Sequence, residues 1–420
     1  ESLTYNVYEN CNYLGSEDNP YFALMSVVDT TVTDITIHED CKIICDDVFI
    51  RCTNLAMLEV SENNECYTTV GGILYNKGKT EIIFVPKNVQ GEVVIPDGVI
   101  VIKEPFGGRN LITSVVLPDS VTSIEATAFM GCRNLTSITF SANLTSIGNS
   151  AFRNCGFTTL VLPDSVTRIE ANAFNFCSAL TSITLGSGLT YIAINNGVFT
   201  DCSVLEAIVV SEDNAVYSSK DGIFYDKNKT TLLYVPNNKQ GTLNILAETT
   251  DIGSVAMTYC TKLSAIEVSE GNAVYSSQGG ILYNKQKTQI IRVPRKLQGE
   301  VTIADGVTSI AANTFYACDE VTGITVPASV TQIVGYTFRS CSALTTVTML
   351  GVKSLMKDAF YGCENLTEVI IPKTIEKIEN YAFHNCTNLT TLTYEGSSSE
   401  WKKVTTGSDI GSFTIKYLNK

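Results

Sequence analysis

A phenylalanine returns along this chain at an almost constant interval. Phe129 to Phe152 is a step of 23 residues, Phe152 to Phe174 of 22, Phe315 to Phe338 of 23, Phe338 to Phe360 of 22 and Phe360 to Phe383 of 23. A whole pattern travels with it. Val121, Ile124, Ala128, Phe129, Cys132, Leu135 and Ile138 return in the same order as Val166, Ile169, Ala173, Phe174, Cys177, Leu180 and Ile183. They return again as Val330, Ile333, Thr337, Phe338, Cys341, Leu344 and Val347. A fixed period of this size marks a solenoid, whose units cannot bury their apolar faces alone and therefore stack. That overrides the two or three globular domains that 420 residues would otherwise suggest. Eleven coils fit the pattern, ten with Phe and one, at Met257, with Met.

Within a coil, Leu135-Thr-Ser-Ile138-Thr-Phe140 predicts a strand from its β-branched content and alternation, with Ile138 and Phe140 inward and Ser137 and Thr139 outward. The following Pro (Pro118, Pro163, Pro327, Pro372) ends the strand and starts a turn. Val121 to Ile124 predicts a second short extended piece. Ala128-Phe129-x-x-Cys132 places Phe and Cys on one face of a single helical turn. A longer unit occurs three times, at residues 61–95, 211–245 and 269–303. In the first copy Ile73 to Tyr75, a turn at Asn76 to Lys79, and Ile82 to Val85 predict a β-hairpin spliced between coils. Its lysines (Lys77, Lys79; Lys227, Lys229; Lys285, Lys287) are expected at a solvated tip, with exposed tyrosines beside them. Residues 1–34 and 395–420 leave the pattern and are expected to cap a solenoid spanning 35–394, with Trp401 covering the last coil.

The charge balance is acidic, 29 Lys and Arg against 43 Asp and Glu, net −14. Nucleic acid and anionic membrane surfaces select for clustered cations and are not expected partners. No run of 18 apolar residues exists, so no insertion into a membrane is expected. The opening ESLTYNVYEN lacks the basic and apolar regions of a signal peptide.

Of the 14 cysteines, ten (Cys52, Cys132, Cys155, Cys177, Cys202, Cys260, Cys318, Cys341, Cys363, Cys386) stand three residues after the Phe position. That periodicity points to packing, because free Cys behaves as a small buried hydrophobe. A column of this kind does not converge four ligands on zinc, and there is no CxxC pair, so no metal is expected. Cys11, Cys41, Cys45 and Cys66 lie off the column, and one or two disulfides among them stay open for a secreted chain. His38 and His384 are isolated, and His384 is expected to be solvated or incidental. No phosphate loop, G-x-S-x-G or H-E-x-x-H occurs, so neither catalytic residues nor a cofactor is expected. Glu59, Glu267 and Glu368 fall at outward strand positions, where solubility accounts for them.

The pattern L-x-x-I-x-x-P-x-x-V-x-x-I-x-x-x-A-F-x-x-C closely resembles the BspA-type, or Treponema-type, leucine-rich repeats over roughly residues 35–394. The short coil at Phe106, with Arg109 near the Cys position, and Met257 depart from it. The resemblance implies a right-handed parallel-β leucine-rich-repeat solenoid with short helical turns, here with three β-hairpin insertions. It also implies a secreted or cell-surface protein, typical of host-associated bacteria or mucosal protozoa, that adheres to host or cell-surface protein or glycan. The family brings no catalytic residues.

The candidate binding surface is the outward face of the long strands, a sheet of small hydroxyl and apolar groups: Ser137, Thr139, Ser182, Thr184, Thr325, Thr348 and Thr393. Threonine chosen only for β-propensity is the plain rival explanation. The hairpins are a rival surface. A spacer that projects another domain and binds nothing is the rival function.

Overall fold

The computed structural model describes residues 2–103 and 106–419. Its coils form a parallel β-solenoid with almost no helix. Each regular coil contributes one longer and one short strand, and each kind stacks in its own ladder. In the short ladder Val101–Ile102, Ser123–Ile124, Ser146–Ile147, Arg168–Ile169 and Tyr191–Ile192 pair in sequence. The register sets Ile on Ile, as in Ile124↔Ile147↔Ile169, so a period of 22 or 23 residues returns the same side chain to the same place. In the longer ladder Val115 opposes Ile138, and Leu160 opposes Ile183 and then Ile208. Residues one step off these rows face outward, as strand alternation requires.

The third wall is built from turns. Cys132 N donates to Phe129 O at 3.1 Å and Met130 N to Thr127 O at 2.9 Å, both i to i+3. Thr127 has φ of 60°, and the same left-handed step recurs at Asp47, Ser150, Asn172, Gly197, Asn313, Tyr336, Asp358 and Tyr381, so the helical turn expected from the sequence is a succession of single tight turns. Neighbouring walls are tied by backbone bonds, for example Phe129 N to Ala151 O at 2.8 Å. The phenylalanines stack face to face: Phe129 on Phe152 at 5.4 Å and 2°, Phe152 on Phe174 at 5.8 Å and 2°, and Phe338 on Phe360 at 5.0 Å and 11°. These rings are fully buried, which makes the Phe column the centre of the core.

Contacts divide the chain into two compact units. One holds residues up to Asn228 with Leu233–Asn237 and Gly253–Tyr259; the other holds Lys229–Leu232, Asn238–Ile252 and Cys260 onward. In the first, Thr4–Tyr8, Cys11–Gly15 and Ala23–Val27 form an antiparallel meander, and Ala23–Val27 then pairs in parallel with Ile43–Ile44. In the second, a helical turn at Ser398–Trp401 is closed by a Ser397/Glu400 capping box, and Trp401 meets Tyr394 edge-on at 5.1 Å. Beyond it Thr405–Thr406 and Thr414–Tyr417 extend both ladders, with Leu392 opposite Ile415.

The longer units carry one strand more than the sequence indicates. The hairpin read from the first copy is present, with Leu74 opposite Phe84 and Tyr75 opposite Ile82. Tyr67–Val70 adds antiparallel to its other side. The third copy is alike, Tyr275–Gln278 pairing with Ile281–Asn284 and that strand with Ile290–Arg292. A buried Asn pins each copy to the coil before it. Asn272 Nδ2 donates to Leu246 O and Thr249 O at 2.8 Å each, and its Oδ1 accepts from Val274 N at 2.9 Å and Tyr275 N at 2.7 Å. Asn64 and Asn214 make the equivalent four bonds.

Two expectations about these insertions are corrected. Tyr75, Tyr225 and Tyr283 are buried, because their strand faces the core. The first lysine of each turn folds back onto the backbone rather than extending into water: Lys77 Nζ reaches Glu62 O at 3.1 Å, Lys227 reaches Glu212 O at 3.0 Å, and Lys285 bonds Asn272 O.

Candidate functional site

All 14 cysteines are free thiols in the structure, Cys11, Cys41, Cys45 and Cys66 among them. The column has a bonding role as well as a packing one. Cys132 Sγ donates to Phe106 O at 3.0 Å, Cys155 to Phe129 O at 3.2 Å, Cys177 to Phe152 O at 3.1 Å and Cys202 to Phe174 O at 3.1 Å. In the second unit Cys341, Cys363 and Cys386 repeat this on Phe315 O, Phe338 O and Phe360 O at 3.0 to 3.1 Å. Phe carbonyls of the turn wall take a backbone N–H of their own turn, as Phe129 O does from Cys132 N at 3.1 Å, and the thiol of the next coil adds a second donor. Burial pushes the Cys132 thiol up to about 11 and the Cys177 thiol up to about 12. Neutral, enclosed thiols are poor nucleophiles and poor metal ligands. Among the described residues no group of three or more His, Cys, Asp and Glu could hold a metal ion, and no helix is long and apolar enough to cross a membrane.

His384 is half-exposed and has two partners that the sequence does not indicate. Its Nδ1 lies 2.9 Å from Asp409 Oδ2, and its ring stacks on Tyr361 at 5.4 Å. Cys386 points away into the column, so the two form no catalytic pair.

The threonines fall into two sets that the sequence does not separate. One set turns the corners and bonds the coil before. Thr145 Oγ1 donates to Thr122 O at 2.9 Å, Thr167 to Thr145 O at 3.1 Å and Thr190 to Thr167 O at 3.1 Å; Thr181 donates to Thr158 O and Thr345 to Thr322 O at 2.8 Å each. Asn134 and Asn365 do likewise with Asn110 O and Ser342 O. The other set lies on the outward strand face. Ser137 and Thr139 are exposed, and Ser182, Thr184, Thr325, Thr348 and Thr393 are half-buried. Among the described residues none of these seven hydroxyls bonds to the protein.

In the first unit the register aligns Val94, Val116 and Thr139 in one row, and Val161, Thr184 and Val209 in another. Val94, Val161 and Val209 are exposed. In the second unit one row runs Thr302, Thr325, Thr348, Ile370, Thr393 and Lys416 across a six-stranded sheet. Thr325, Thr348 and Thr393 thus share one row of the second unit, whereas in the first unit Thr139 and Thr184 stand in separate sheets and Ser137 and Ser182 lie in neighbouring rows, opposite Ser114 and Thr159.

The chain belongs to the BspA type leucine rich repeat region family, whose model matches six copies over residues 25–91, 100–231 and 296–405. Membership suggests a non-enzymatic protein-interaction module. Among solved structures the chain is similar to a leucine rich cell surface protein from Faecalibacterium prausnitzii, at 22% identity over 98% of this chain and 99% of that one, with a TM-score of 0.47. It is also similar to a leucine-rich repeat protein from Bacteroides ovatus, at 19% identity over 100% and 98% of the two chains, TM-score 0.49. A third is the pneumococcal vaccine antigen PcpA, at 18% identity over 99% and 88%, TM-score 0.40. A comparison with curated proteins gave no match.

Proposed function

We propose that this chain is a secreted or cell-surface binding module without catalytic activity, which adheres to a host or neighbouring-cell protein or glycan. It does so through the outward face of its longer strands. The contrast between the two threonine sets carries the reading. Corner threonines have a bonding reason to be threonine, because each closes a backbone carbonyl of the previous coil. The face hydroxyls have no such partner, and the exposed Val94, Val161 and Val209 add apolar surface to the same rows. A face of unspent hydroxyls interleaved with apolar side chains offers a partner hydrogen bonds and contact area at small desolvation cost. Secretion or surface display is the expectation that goes with the family.

The test is adhesion of the intact chain to mucosal and matrix components, with and without Thr139→Lys, Thr184→Lys and Thr348→Lys together. These side chains leave the core untouched, so the fold should persist while adhesion falls by about tenfold or more. Undiminished adhesion would rule out the strand face. Failure to adhere to any component would favour a spacer.

A further inference from the structure

The turn wall of the second unit carries a surface that its repeat does not require. Two residues before the Phe position the backbone is left-handed in coil after coil, at Asp47, Thr127, Ser150, Asn172, Asn313 and Asp358. Those residue types are short and polar, and Asn and Asp enter that region most readily. Two coils depart from the rule. Tyr336 has φ of 63° and Tyr381 of 60°. A bulky aromatic is a costly choice there. Nothing in the core compensates for it, since the two side chains are 36% and 37% exposed.

The residues around them complete a row. Arg339 lies over Tyr336 at 5.3 Å and over Tyr361 of the next coil at 4.9 Å. Lys357 lies 5.7 Å from the Tyr381 ring. Tyr361 stacks on His384 at 5.4 Å, Tyr381 meets His384 edge-on at 5.4 Å, and Asn385 Nδ2 donates to the Tyr361 hydroxyl at 3.1 Å. Among the described residues neither Arg339 nor Lys357 has an ion-pair partner, and His384 engages the nearby carboxylate of Asp409 at 2.9 Å. In a chain of net charge −14 these two cations without an ion-pair partner stand beside the part-exposed rings of Tyr336 and Tyr381.

We infer that Tyr336, Arg339, Lys357, Tyr361 and Tyr381 form a binding site for a carboxylate-bearing polysaccharide. Tyr336 and Tyr381 take the C–H faces of sugar rings, Tyr361 is held between Arg339 and His384 as their support, and Arg339 and Lys357 take the carboxylates. The Phe rings beneath, 5.0 and 5.2 Å apart, set the step from coil to coil. Sugar rings of an extended chain advance by a similar step, so alternate rings meet Tyr336 and Tyr381, which stand two coils apart. Charge complementarity selects an acidic polymer over a neutral one. The site lies on the turn wall and does not depend on the strand-face reading.

The experiment is titration calorimetry of the intact chain with polygalacturonate, with neutral dextran as the control polymer. Binding should appear with polygalacturonate and weaken as salt rises. Tyr336→Asn with Tyr381→Asn places in both coils the residue that Asn172 and Asn313 already hold at this position. That variant should melt no lower than the parent yet bind about tenfold or more weakly, and Arg339→Gln with Lys357→Gln should flatten the salt dependence. Absence of binding, equal binding of dextran, or undiminished affinity in the Tyr variant would each overturn the assignment.

Discussion

At the regular joints of the second unit the thiols of Cys341, Cys363 and Cys386 close the carbonyls of Phe315, Phe338 and Phe360, always at 3.0 to 3.1 Å. Where an insertion precedes a coil, that geometry fails. Arg109 replaces the thiol after the first insertion, its Nη2 donating to Val85 O at 2.8 Å and its Nη1 to Gly107 O at 2.7 Å. Before the second, Tyr234 Oη and Asn237 Nδ2 reach Phe199 O at 3.2 Å each. After the third, Cys318 keeps only a 3.8 Å approach to Pro294 O. The repeat therefore keeps a side-chain donor on an inward carbonyl at these joints, and residue identity follows the reach needed. Regular joints rely on stacking with a weak donor, the joints at the first two insertions on stronger polar groups, and the joint after the third keeps only a long thiol contact.

Four measurements would break or sharpen this contrast. Removing a ring from a regular joint should cost most: Phe338→Ala should lower unfolding free energy by about 3–5 kcal/mol in urea titration, because the ring is fully buried between two neighbours. A loss below 1 kcal/mol would deny the Phe column its place at the centre. Asn272→Ala should cost about 3 kcal/mol, leaving two buried carbonyls and two amides without their partner. Its exchange signature should be local, with faster amide exchange at Val274 and Tyr275. Next, Arg109→Met should cost about 2 kcal/mol and Cys341→Ala about 1 kcal/mol. If the two were equal, the strength of the donor would not distinguish the joints.

The smallest effect for each group is alkaline. Burial raises the Cys177 and Cys318 thiols from 9.0 to about 12. Above pH 9 the unfolded chain has lost protons that the folded chain keeps. The unfolded state then binds fewer protons, and stability falls as pH rises. The contribution is complete below about pH 9 and lost progressively towards 12, on the order of 1 kcal/mol for each buried thiol one pH unit above its ordinary value. Melting temperatures measured across that interval should decline. A flat profile would mean the column is open to water.

The strand face and the turn wall also differ in what the sequence could disclose. Alternation places Thr139, Thr184 and Thr348 outward, and the register agrees. Alternation does not separate a threonine such as Thr145, spent on a carbonyl of the coil below, from one whose hydroxyl is unspent. Nor does it show the turn-wall row, whose members come from three coils and acquire meaning only from the left-handed backbone under Tyr336 and Tyr381. The sequence does carry one signal of it: Tyr336 and Tyr381 are the two aromatics in a column that elsewhere holds Asp47, Glu104, Thr127, Ser150, Asn172, Gly197, Val255, Asn313 and Asp358.

By itself the sequence determined the solenoid and the inward Phe and Cys columns. A period fixed within one residue repeats the same burial problem at every coil, and only stacking answers it. The tertiary structure decided what each polar group is for. It made the cysteines carbonyl donors, turned Lys77, Lys227 and Lys285 back onto the chain, and buried Tyr75, Tyr225 and Tyr283. Hydrogen bonds depend on reach and direction across neighbouring coils, and a one-dimensional period does not encode either.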